Sequence, residues 1–295
     1  MTPPTITCFG EVLWDLLPTG KIAGGAPMNV AYHANNFGLG SKMISSVGAD
    51  DSGQELLAFL TKKGIPTDLI QTNHDFPTGT VIVTLDKKGS PSYEIVQPVA
   101  WDFIQPDEAA KKAVQVTDAF IFGSLACRSE RTKNTLLELL DNATLSVFDV
   151  NLRPPFYNQE LLETLLAKAQ IVKMNDDELG IIAGWYGSTG DEQSDMQMLR
   201  ERLDIQAIVM TKGPHGAVLR NDDGFFNQGG FPVKVQDTIG SGDSFLAGFL
   251  KKLLTGAPPQ ECLAFACATG ALVATKKGGT PPVNDEDVYR LMSNQ

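Results

Sequence analysis

Four short apolar segments, separated by predicted helices, constrain the fold of this chain more than any other feature. The apolar segments lie at 119–122, 145–150, 171–174 and 207–210, and the helices at 130–140, 159–169 and 193–203. Strands that are apolar along their whole length are typical of parallel sheets with helices on both faces. The alternation therefore predicts an α/β fold, a single three-layer α/β/α domain over residues 1–295 with a mostly parallel sheet.

The remaining elements flank this regular core. Toward the N-terminus we predict strands at 5–10 and 42–47 and helices at 27–37 and 54–63. Strands near 12–23, at 80–86 and at 92–96, with a turn at 87–91, interrupt the rhythm and predict a small β lid formed by about 12–23 and 80–103. Short antiparallel edge strands are expected at 217–220, 224–227 and 233–235, and helices at 243–254, 260–275 and 285–292.

Charge and composition exclude several classes of protein. A formal net charge of −11 disfavours binding to nucleic acid or to an anionic membrane surface. The same charge repels ATP at long range, so any phosphate site must depend on nearby groups, namely backbone N–H groups, a metal and a few cations. No run approaches the roughly 20 apolar residues of a spanning helix, and nothing resembles a signal peptide, so a cytoplasmic location is expected. The four cysteines form no CxxC pair, which predicts reduced thiols, mostly buried: Cys8, Cys127, Cys262 and Cys267.

A glycine-rich turn within 237–245 leads directly into an apolar helix. Gly240 and Gly242 flank Ser241, so consecutive backbone N–H groups can converge without obstruction by Cβ atoms. Those groups lie at a helix N-terminus, where an anion is favoured. Asp243 would then suit a general base that accepts a proton from an attacking hydroxyl. An ordinary capped helix with an acid in its first turn explains the same residues equally well.

A second glycine pair, Gly24 and Gly25, precedes another predicted helix. Asn29 follows within that helix, and its side chain can offer both an amide donor and a carbonyl acceptor to a hydroxylated ligand. A tight turn before a helix start also accounts for this segment. Taken alone, the segment favours that simpler interpretation.

Together and in this order, the two glycine-rich segments resemble the two signature regions of the ribokinase-like (PfkB) carbohydrate kinases. Three further segments are similar to motifs of that family, 47–53 to V-G-x-D-x-x-G, 175–178 to N-x-x-E and 211–216 to T-x-G-x-x-G. The resemblance extends from Gly10 to Pro282. The chain lacks the G-x-x-x-x-G-K-[ST] of P-loop kinases and has no G-x-G-x-x-G after its first strand, which argues against P-loop and dinucleotide-binding Rossmann proteins.

The resemblance implies a ribokinase-like fold with a β lid and direct transfer of the γ-phosphate of ATP to a sugar hydroxyl. It implies Asp243 as the base and the amides of Gly240, Ser241 and Gly242 as the anion hole. Glu178 is implied to hold Mg²⁺ through water, although a solvated helix acid would give the same residue. Nucleotide contacts are implied for Asn175, Thr211, Lys212, Gly213, Gly216, Gly240 and Gly242, and the helix at 260–275 should line the adenine pocket.

Segments 10–15, 24–31 and 148–153 are most similar to the fructokinase branch, so fructose and fructose 6-phosphate are the expected substrate and product. Without the resemblance, Asp15 could cap a turn before Pro18, and Arg153 could form a surface ion pair. A kinase of the same fold for 2-keto-3-deoxygluconate, ribose or a nucleoside stays open, as does, more remotely, an inactive sugar-binding relative. The sugar contacts implied by the resemblance are Asp15, Gly24, Gly25, Asn29, Arg153 and Asp243.

Some members of the family hold a monovalent cation, and the resemblance implies such a site, for K⁺, at Asp237, Ile239, Val273 and Gly278. The expected partners are therefore a small sugar and ATP, with Mg²⁺ as cofactor, and neither nucleic acid nor a membrane. The β lid is also a candidate surface for a homodimer.

Overall fold

The computed structural model describes residues 2–85 and 91–294. In chain order its strands are β1 (Thr5–Phe9), β2 (Leu13–Leu17), β3 (Gly20–Gly24), β4 (Gly40–Gly48), β5 (Ile70–Asn73), β6 (Gly79–Leu85), β7 (Pro91–Ile95), β8 (Ala119–Gly123), β9 (Ser146–Asp149), β10 (Ile171–Asn175), β11 (Ala207–Thr211), β12 (Ala217–Asn221) and β13 (Gly224–Gln228). Its helices are α1 (Ala26–Asn36), α2 (Asp51–Lys62), α3 (Glu108–Val116), α4 (Glu130–Leu140), α5 (Gln159–Leu166), α6 (Asp176–Gly184), α7 (Glu192–Leu203), α8 (Ser241–Leu254), α9 (Pro259–Ala274) and α10 (Asp285–Ser293).

One large sheet runs through the molecule in the order β13-β12-β11-β10-β9-β8-β1-β4-β5. Every neighbouring pair from β11 to β5 is parallel, whereas β12 and β13 are antiparallel additions at one edge. The four apolar segments of the sequence are the adjacent strands β8 to β11. The predicted mostly parallel sheet, with antiparallel edge strands at 217–220 and 224–227, is therefore confirmed.

Helices cover both faces of this sheet. Alternate residues of a strand point to opposite faces. On β8, Ile121 joins a core cluster with residues of α1, α8 and α9, whereas Phe120 and Phe122 join a second cluster with residues of α4, α5, α6 and α7. Because most side chains of β8 to β11 are buried on one face or the other, these strands are mostly apolar. The predicted three-layer α/β/α arrangement is confirmed.

A second, smaller sheet has the order β3-β2-β6-β7. β2 pairs antiparallel with β3 and parallel with β6, and β6 pairs antiparallel with β7. Leu13, Val81 and Val83 form a small apolar cluster on this sheet. The predicted β lid thus forms a sheet of its own. Residues 96–103 of the predicted lid belong to no strand and end in a 3₁₀ turn at Ala100–Phe103. Asp86 and residues 87–90 of the turn predicted at 87–91 lie outside the described residues, and residue 91 begins β7.

Some local predictions are wrong. Residues 233–235 form no strand. Pro232, which precedes them, has no backbone N–H to donate to a neighbouring strand. The chain bonds to α9 instead, where the N–H of Gln236 donates to the carbonyl of Ala274 at 2.8 Å. Two helices, α3 and α6, were not predicted.

The four cysteines are free and buried, as expected. In the part of the chain that the structure describes, no helix has the length and apolar character needed to cross a bilayer.

Candidate active site

Asp243 lies in the first turn of α8, where the two glycine-rich segments of the sequence meet. Gly240 precedes the helix with a φ of +75°, a left-handed conformation that favours glycine. A Cβ on Gly240 would lie 2.6 Å from the backbone of Gly279, so no larger residue fits without displacement of that backbone. Nδ2 of Asn29 donates a hydrogen bond of 2.8 Å to Oδ2 of Asp243, across 214 residues of sequence.

The carboxyl of Asp243 is a stronger base than an ordinary aspartate. Withdrawal from water, reinforced by the charge of Asp149, raises its pKa from 3.8 to about 6. The ammonium of Lys173, the hydrogen bond from Asn29 and the charge of Arg153 oppose that rise. A base whose pKa lies near neutrality is suited to accept a proton in a transition state at pH 7.

A buried ion pair next to the N-terminus of α8 was not expected from the sequence. Nζ of Lys173, on β10, lies 2.9 Å from Oδ1 of Asp149, the last residue of β9, and both side chains are almost fully buried. The same Nζ would lie 3.1 Å from a Cβ on Gly242, so the ammonium contacts the glycine-rich turn. Burial favours loss of the Lys173 proton, but Asp149, together with Asp243 and Glu178, outweighs burial and raises the pKa of Lys173.

Glu11 is a second residue that the sequence analysis did not assign to the site. Its side chain is buried, Oε1 accepts a hydrogen bond of 3.2 Å from the N–H of Ala26, and Oε2 has no partner among the described residues. Burial raises the pKa of Glu11 to about 7, although backbone hydrogen bonds and the charge of Arg153 oppose the rise. The sequence signal for both Glu11 and Lys173 is a charged residue within or beside an otherwise apolar strand.

Asn175 and Glu178 form a reciprocal cap at the start of α6. Oδ1 of Asn175 accepts from the N–H of Glu178, and Oε2 of Glu178 accepts from the N–H of Asn175, both at 2.8 Å. Oε1 of Glu178 accepts from the N–H of Leu152 at 2.8 Å. Burial raises the pKa of Glu178, and these N–H donors and Lys173 oppose the rise. Glu178 is buried, so the alternative of a solvated helix acid is wrong.

Asp15 faces the glycine pair from the small sheet. It lies within β2, opposite Ile22 of β3, so the alternative that it caps a turn is wrong. A Cβ on Gly24 would lie 2.6 Å from Oδ2 of Asp15. Gly25 has a φ of +116°, and a Cβ there would lie 2.3 Å from the carbonyl oxygen of Glu11, so the turn requires glycine. Burial raises the pKa of Asp15 to about 6, with the charge of Arg153 opposing.

Arg153 is exposed, and its charge acts on Asp15, Glu11 and Asp243. Its Nη1 donates a hydrogen bond of 3.1 Å to the carbonyl of Leu152. Over residues 2–85 and 91–294 no ion pair involves Arg153, so the surface ion pair considered above is not formed. The guanidinium therefore carries a positive charge next to three acids of the site.

Four of the predicted nucleotide residues lie at or just after the end of β11, next to β10, namely Thr211, Lys212, Gly213 and Gly216. Thr211 pairs with Asn175 in the register of the two strands. Nζ of Lys212 lies 3.2 Å from a carboxylate oxygen of Glu192, and Gly213 begins a 3₁₀ turn that ends before Gly216. The sheet thus brings the T-x-G-x-x-G segment beside the N-x-x-E segment, as neighbouring parallel strands must.

The side chain of Asp237 joins two segments of the predicted cation site. Oδ1 accepts the N–H of Ile239 at 3.0 Å, and Oδ2 accepts the N–H of Gly278 at 2.9 Å. The N–H of Asp237 donates to the carbonyl of Ala274, next to Val273, at 3.2 Å. All four predicted residues therefore lie on segments that meet at Asp237.

The sequence is similar to known carbohydrate kinases over most of its length. The model of the pfkB family of carbohydrate kinases matches residues 9–286. A fructokinase of Solanum tuberosum is 31% identical over 307 residues, which cover 95% of this chain and 93% of that protein. A probable fructokinase-7 of Arabidopsis thaliana is 28% identical over 322 residues, which cover 98% and 92%.

Solved structures share the fold. A fructokinase with bound ATP from Xylella fastidiosa superimposes with a TM-score of 0.87 at 25% identity, over 98% of each chain. A fructokinase double mutant from Vibrio cholerae O395, in fructose, ADP and potassium ion bound form, gives a TM-score of 0.85 at 23% identity over 99% of each chain, which supports the fold alone. The resemblance inferred from the motifs is confirmed, and this chain belongs to the pfkB family of carbohydrate kinases and is a sugar kinase.

Proposed function

We propose that this kinase transfers the γ-phosphate of ATP to fructose and forms fructose 6-phosphate. The observation that carries the proposal is the position of Asp243, a carboxylate with a pKa of about 6 that is bonded to Asn29 and preceded by a glycine-rich turn. The 31% identity to the Solanum tuberosum fructokinase over nearly the whole chain supports fructose as the acceptor.

In the proposed mechanism Asp243 accepts the proton of the attacking sugar hydroxyl. The hydroxyl oxygen bonds to the γ-phosphorus, and the bond from that phosphorus to the bridging oxygen breaks, so that ADP leaves with the electron pair. The N–H groups of Gly240 and Gly242 would face the charge on the transferred phosphoryl group. The N–H of Ser241 instead donates to the carbonyl of Thr238 at 3.2 Å, so the structure does not support the predicted contribution of Ser241 to the anion hole. Lys173 adds a positive charge beside this turn.

Nucleotide and metal contacts are proposed for the ends of β10 and β11. Thr211, Lys212, Gly213 and Gly216 would border the nucleotide, and Asn175 would lie near its phosphates. The described residues contain no group of three His, Cys, Asp or Glu side chains that could hold a metal. Mg²⁺ would therefore take its ligands mainly from phosphate and water, and Glu178 would hold one such water. When bound, Mg²⁺ supplies charge neutralisation of the phosphates.

Sugar contacts are proposed for the space between the small sheet and α1. Asp15 can accept hydrogen bonds from two hydroxyls, and the absence of side chains at Gly24 and Gly25 lets a sugar approach the backbone closely. Asn29 holds the base, and Arg153 lies within electrostatic range of Asp15. We further propose that the small sheet acts as the lid of this site.

The monovalent cation site is proposed at Asp237, Ile239, Val273 and Gly278. It is supported by the carboxylate of Asp237, which already joins Ile239 to Gly278. K⁺ is the proposed ion, and the expected result is a higher rate with KCl than with an equal concentration of choline chloride. An equal rate in both salts would argue against the site.

A substrate screen tests the acceptor. ADP release would be measured with Mg·ATP and fructose, ribose, 2-keto-3-deoxygluconate or a nucleoside, with and without KCl, and the phosphorylated position would be identified by NMR. We expect the highest kcat/KM with fructose and a product phosphorylated at C6. A higher value for another sugar would overturn fructose and leave the kinase class intact.

Substitution of the base tests the mechanism. Asp243→Asn should lower kcat by about 10²- to 10⁴-fold, the usual contribution of a general base. Sugar affinity measured by calorimetry should change little. Asp287→Asn, a substitution in the first turn of α10, is the matched control and should keep wild-type turnover. Near-normal turnover of Asp243→Asn would remove Asp243 from the mechanism.

One observation favours a second acceptor, 2-keto-3-deoxygluconate. The exposed guanidinium of Arg153 has no ion-pair partner among the described residues, and a substrate carboxylate would supply one. If this acceptor is correct, Arg153→Met should raise its KM strongly and leave the KM of fructose nearly unchanged. Equal effects on both would leave fructose as the preferred proposal.

A homodimer through the small sheet is also proposed. Four large apolar side chains of this sheet are exposed in the monomer, namely Leu16, Ile22, Ile82 and Tyr93. Sedimentation equilibrium is expected to give a dimer that Tyr93→Lys weakens, and a monomeric wild type would refute the proposal. A cytoplasmic location stays a prediction from the sequence.

A further inference from the structure

His33, on α1, has no place in the mechanism above. Its side chain is fully buried, and Nε2 lies 2.8 Å from the carbonyl oxygen of Gly279, 246 residues further along the chain. Because a carbonyl oxygen only accepts, Nε2 carries the proton, and Nδ1 is buried with no partner among the described residues. Burial lowers the pKa of His33 to about 4, so the imidazole is a neutral donor at pH 7.

Gly279 belongs to a loop at 277–280 between α9 and α10, called here the 277–280 loop. A Cβ on Gly279 would lie 2.7 Å from Nδ2 of Asn29, and a Cβ on Gly240 would lie 2.6 Å from Cα of Gly279. The loop is therefore held between Asn29, which bonds to Asp243, and Gly240, which precedes α8. A shift of the loop must disturb one or both of these contacts.

A second side chain, that of Lys63, also contacts this loop. Nζ of Lys63 donates a hydrogen bond of 3.1 Å to the carbonyl of Thr280 and lies 4.6 Å from the centre of the Tyr32 ring. Tyr32 in turn packs edge-on against His33, with ring centroids 5.1 Å apart. Two successive loop carbonyls are thus bonded to side chains, but only the His33 bond is fully buried.

Asn29 and His33 are four residues apart, so their side chains project from the same face of α1. Asn29 donates to the carboxylate of Asp243, and His33 donates to the 277–280 loop. The same helix begins directly after Gly25, in the segment that we assign to the sugar. One rigid helix therefore connects the sugar side, the base and the loop that contacts Gly240.

We propose that His33 is a positioning residue, which fixes the 277–280 loop against Gly240 and thereby sets the direction of the N–H groups at the start of α8. The proposal rests on the proposed function for its kinetic consequences, because those N–H groups bear on turnover only if phosphoryl transfer occurs there. Loss of the bond should affect nucleotide binding and kcat, and leave the sugar contacts of Asp15 and Gly25 in place.

Three substitutions separate the donor from the bulk of the ring. His33→Gln places an amide nitrogen about as far from the backbone as Nε2, His33→Asn reaches only as far as Nδ1, and His33→Leu has no donor. His74→Leu, at an exposed histidine, is the matched control. The measurements are Mg·ATP affinity by calorimetry without sugar, kcat with the KM of each substrate, and amide hydrogen exchange over 277–280.

We expect His33→Leu and His33→Asn to weaken Mg·ATP binding and to lower kcat, each by about tenfold, since an unsatisfied buried carbonyl is costly. Exchange over 277–280 should become faster, and the KM of the sugar should stay near its wild-type value. His33→Gln should restore affinity, kcat and slow exchange, which a role of the ring in packing alone would not predict.

Two results would overturn the proposal. One is a folded His33→Leu protein with wild-type Mg·ATP affinity and exchange, and the other is a His33→Gln protein as impaired as His33→Asn. If His33→Leu does not fold, the comparison of His33→Gln with His33→Asn decides whether a donor at the position of Nε2 is needed. If the wild type binds Mg·ATP but phosphorylates no tested sugar, the proposed function fails, while affinity and exchange still decide the role of His33.

Discussion

Replacement of Asp243 by asparagine should stabilise the folded protein at neutral pH. Folding raises the pKa of this carboxyl from 3.8 to about 6, because it is withdrawn from water and lies near Asp149. The folded state therefore binds the proton more tightly than the unfolded chain does. The resulting stabilisation is complete below about pH 4 and is lost as pH rises through about 6, so the ionised carboxylate opposes folding at pH 8.

The two pKa values give the size of the effect. The rise from 3.8 to about 6 corresponds to at most about 3 kcal/mol at pH 8, since one pKa unit is worth about 1.4 kcal/mol. At pH 5 the same two values give about half as much. Asparagine is uncharged at both pH values and can still accept the hydrogen bond from Asn29. Asp243→Asn should therefore raise the free energy of unfolding by up to about 3 kcal/mol at pH 8 and about 1.5 kcal/mol at pH 5.

Urea unfolding followed by tryptophan fluorescence at pH 5 and pH 8 measures both values by linear extrapolation. Asp287→Asn, in the first turn of α10, controls for the general effect of losing one negative charge from this acidic chain. A gain in stability that is equal at the two pH values would refute the reasoning, and so would no gain at pH 8. In either case the pKa of Asp243 would not be raised in the folded protein.

Three further predictions concern the residues around the base. Lys173 lowers the pKa of Asp243, so Lys173→Met should move the acidic limb of the kcat/KM profile to higher pH. Asp149 raises that pKa, so Asp149→Asn should move the same limb to lower pH. Shifts in the same direction for both variants would contradict this account. Gly240→Ala places a Cβ 2.6 Å from facing backbone, and kcat should fall by about 10²-fold while sugar affinity by calorimetry is kept; an unchanged kcat would remove this turn from the anion hole. Glu178→Gln should raise the Mg²⁺ concentration for half-maximal rate by about tenfold, and an unchanged Mg²⁺ titration would argue against a water-mediated contact.

The layered fold could be predicted because its signals are local. The helix predicted at 130–140 is observed as Glu130–Leu140, and the four buried strands differ from prediction by one or two residues. Glu108–Val116 was missed because its sequence is mostly small and polar residues, and its start depends on Asp107 accepting a hydrogen bond from Ala110. The helix Asp176–Gly184 begins with a capping box of Asn175 and Glu178, the two residues that also form the N-x-x-E motif, so its start signal coincides with a functional one.

The site could be predicted only in part, because side chains distant in sequence determine it. The glycine-rich turns were visible, but the Asn29–Asp243 bond joins residues 214 apart and has no local signal. The Lys173–Asp149 pair likewise depends on β9 and β10 being neighbours. A charged residue in an apolar strand conflicts with its local pattern, and such conflicts are concentrated at functional sites.

The charges of this site also indicate how a strongly acidic chain can bind a polyanion. Glu11, Asp149, Glu178 and Asp243 are all acids of the site, whereas Lys173 is its one buried cation among the described residues. With a net charge of −11, the chain as a whole repels free ATP. Attraction must come from groups within a few ångströms, namely the N–H groups at the start of α8, the Lys173 ammonium and a metal that reduces the charge of the phosphates. The charge distribution therefore favours Mg·ATP over free ATP, and free ATP in excess over Mg²⁺ should bind weakly.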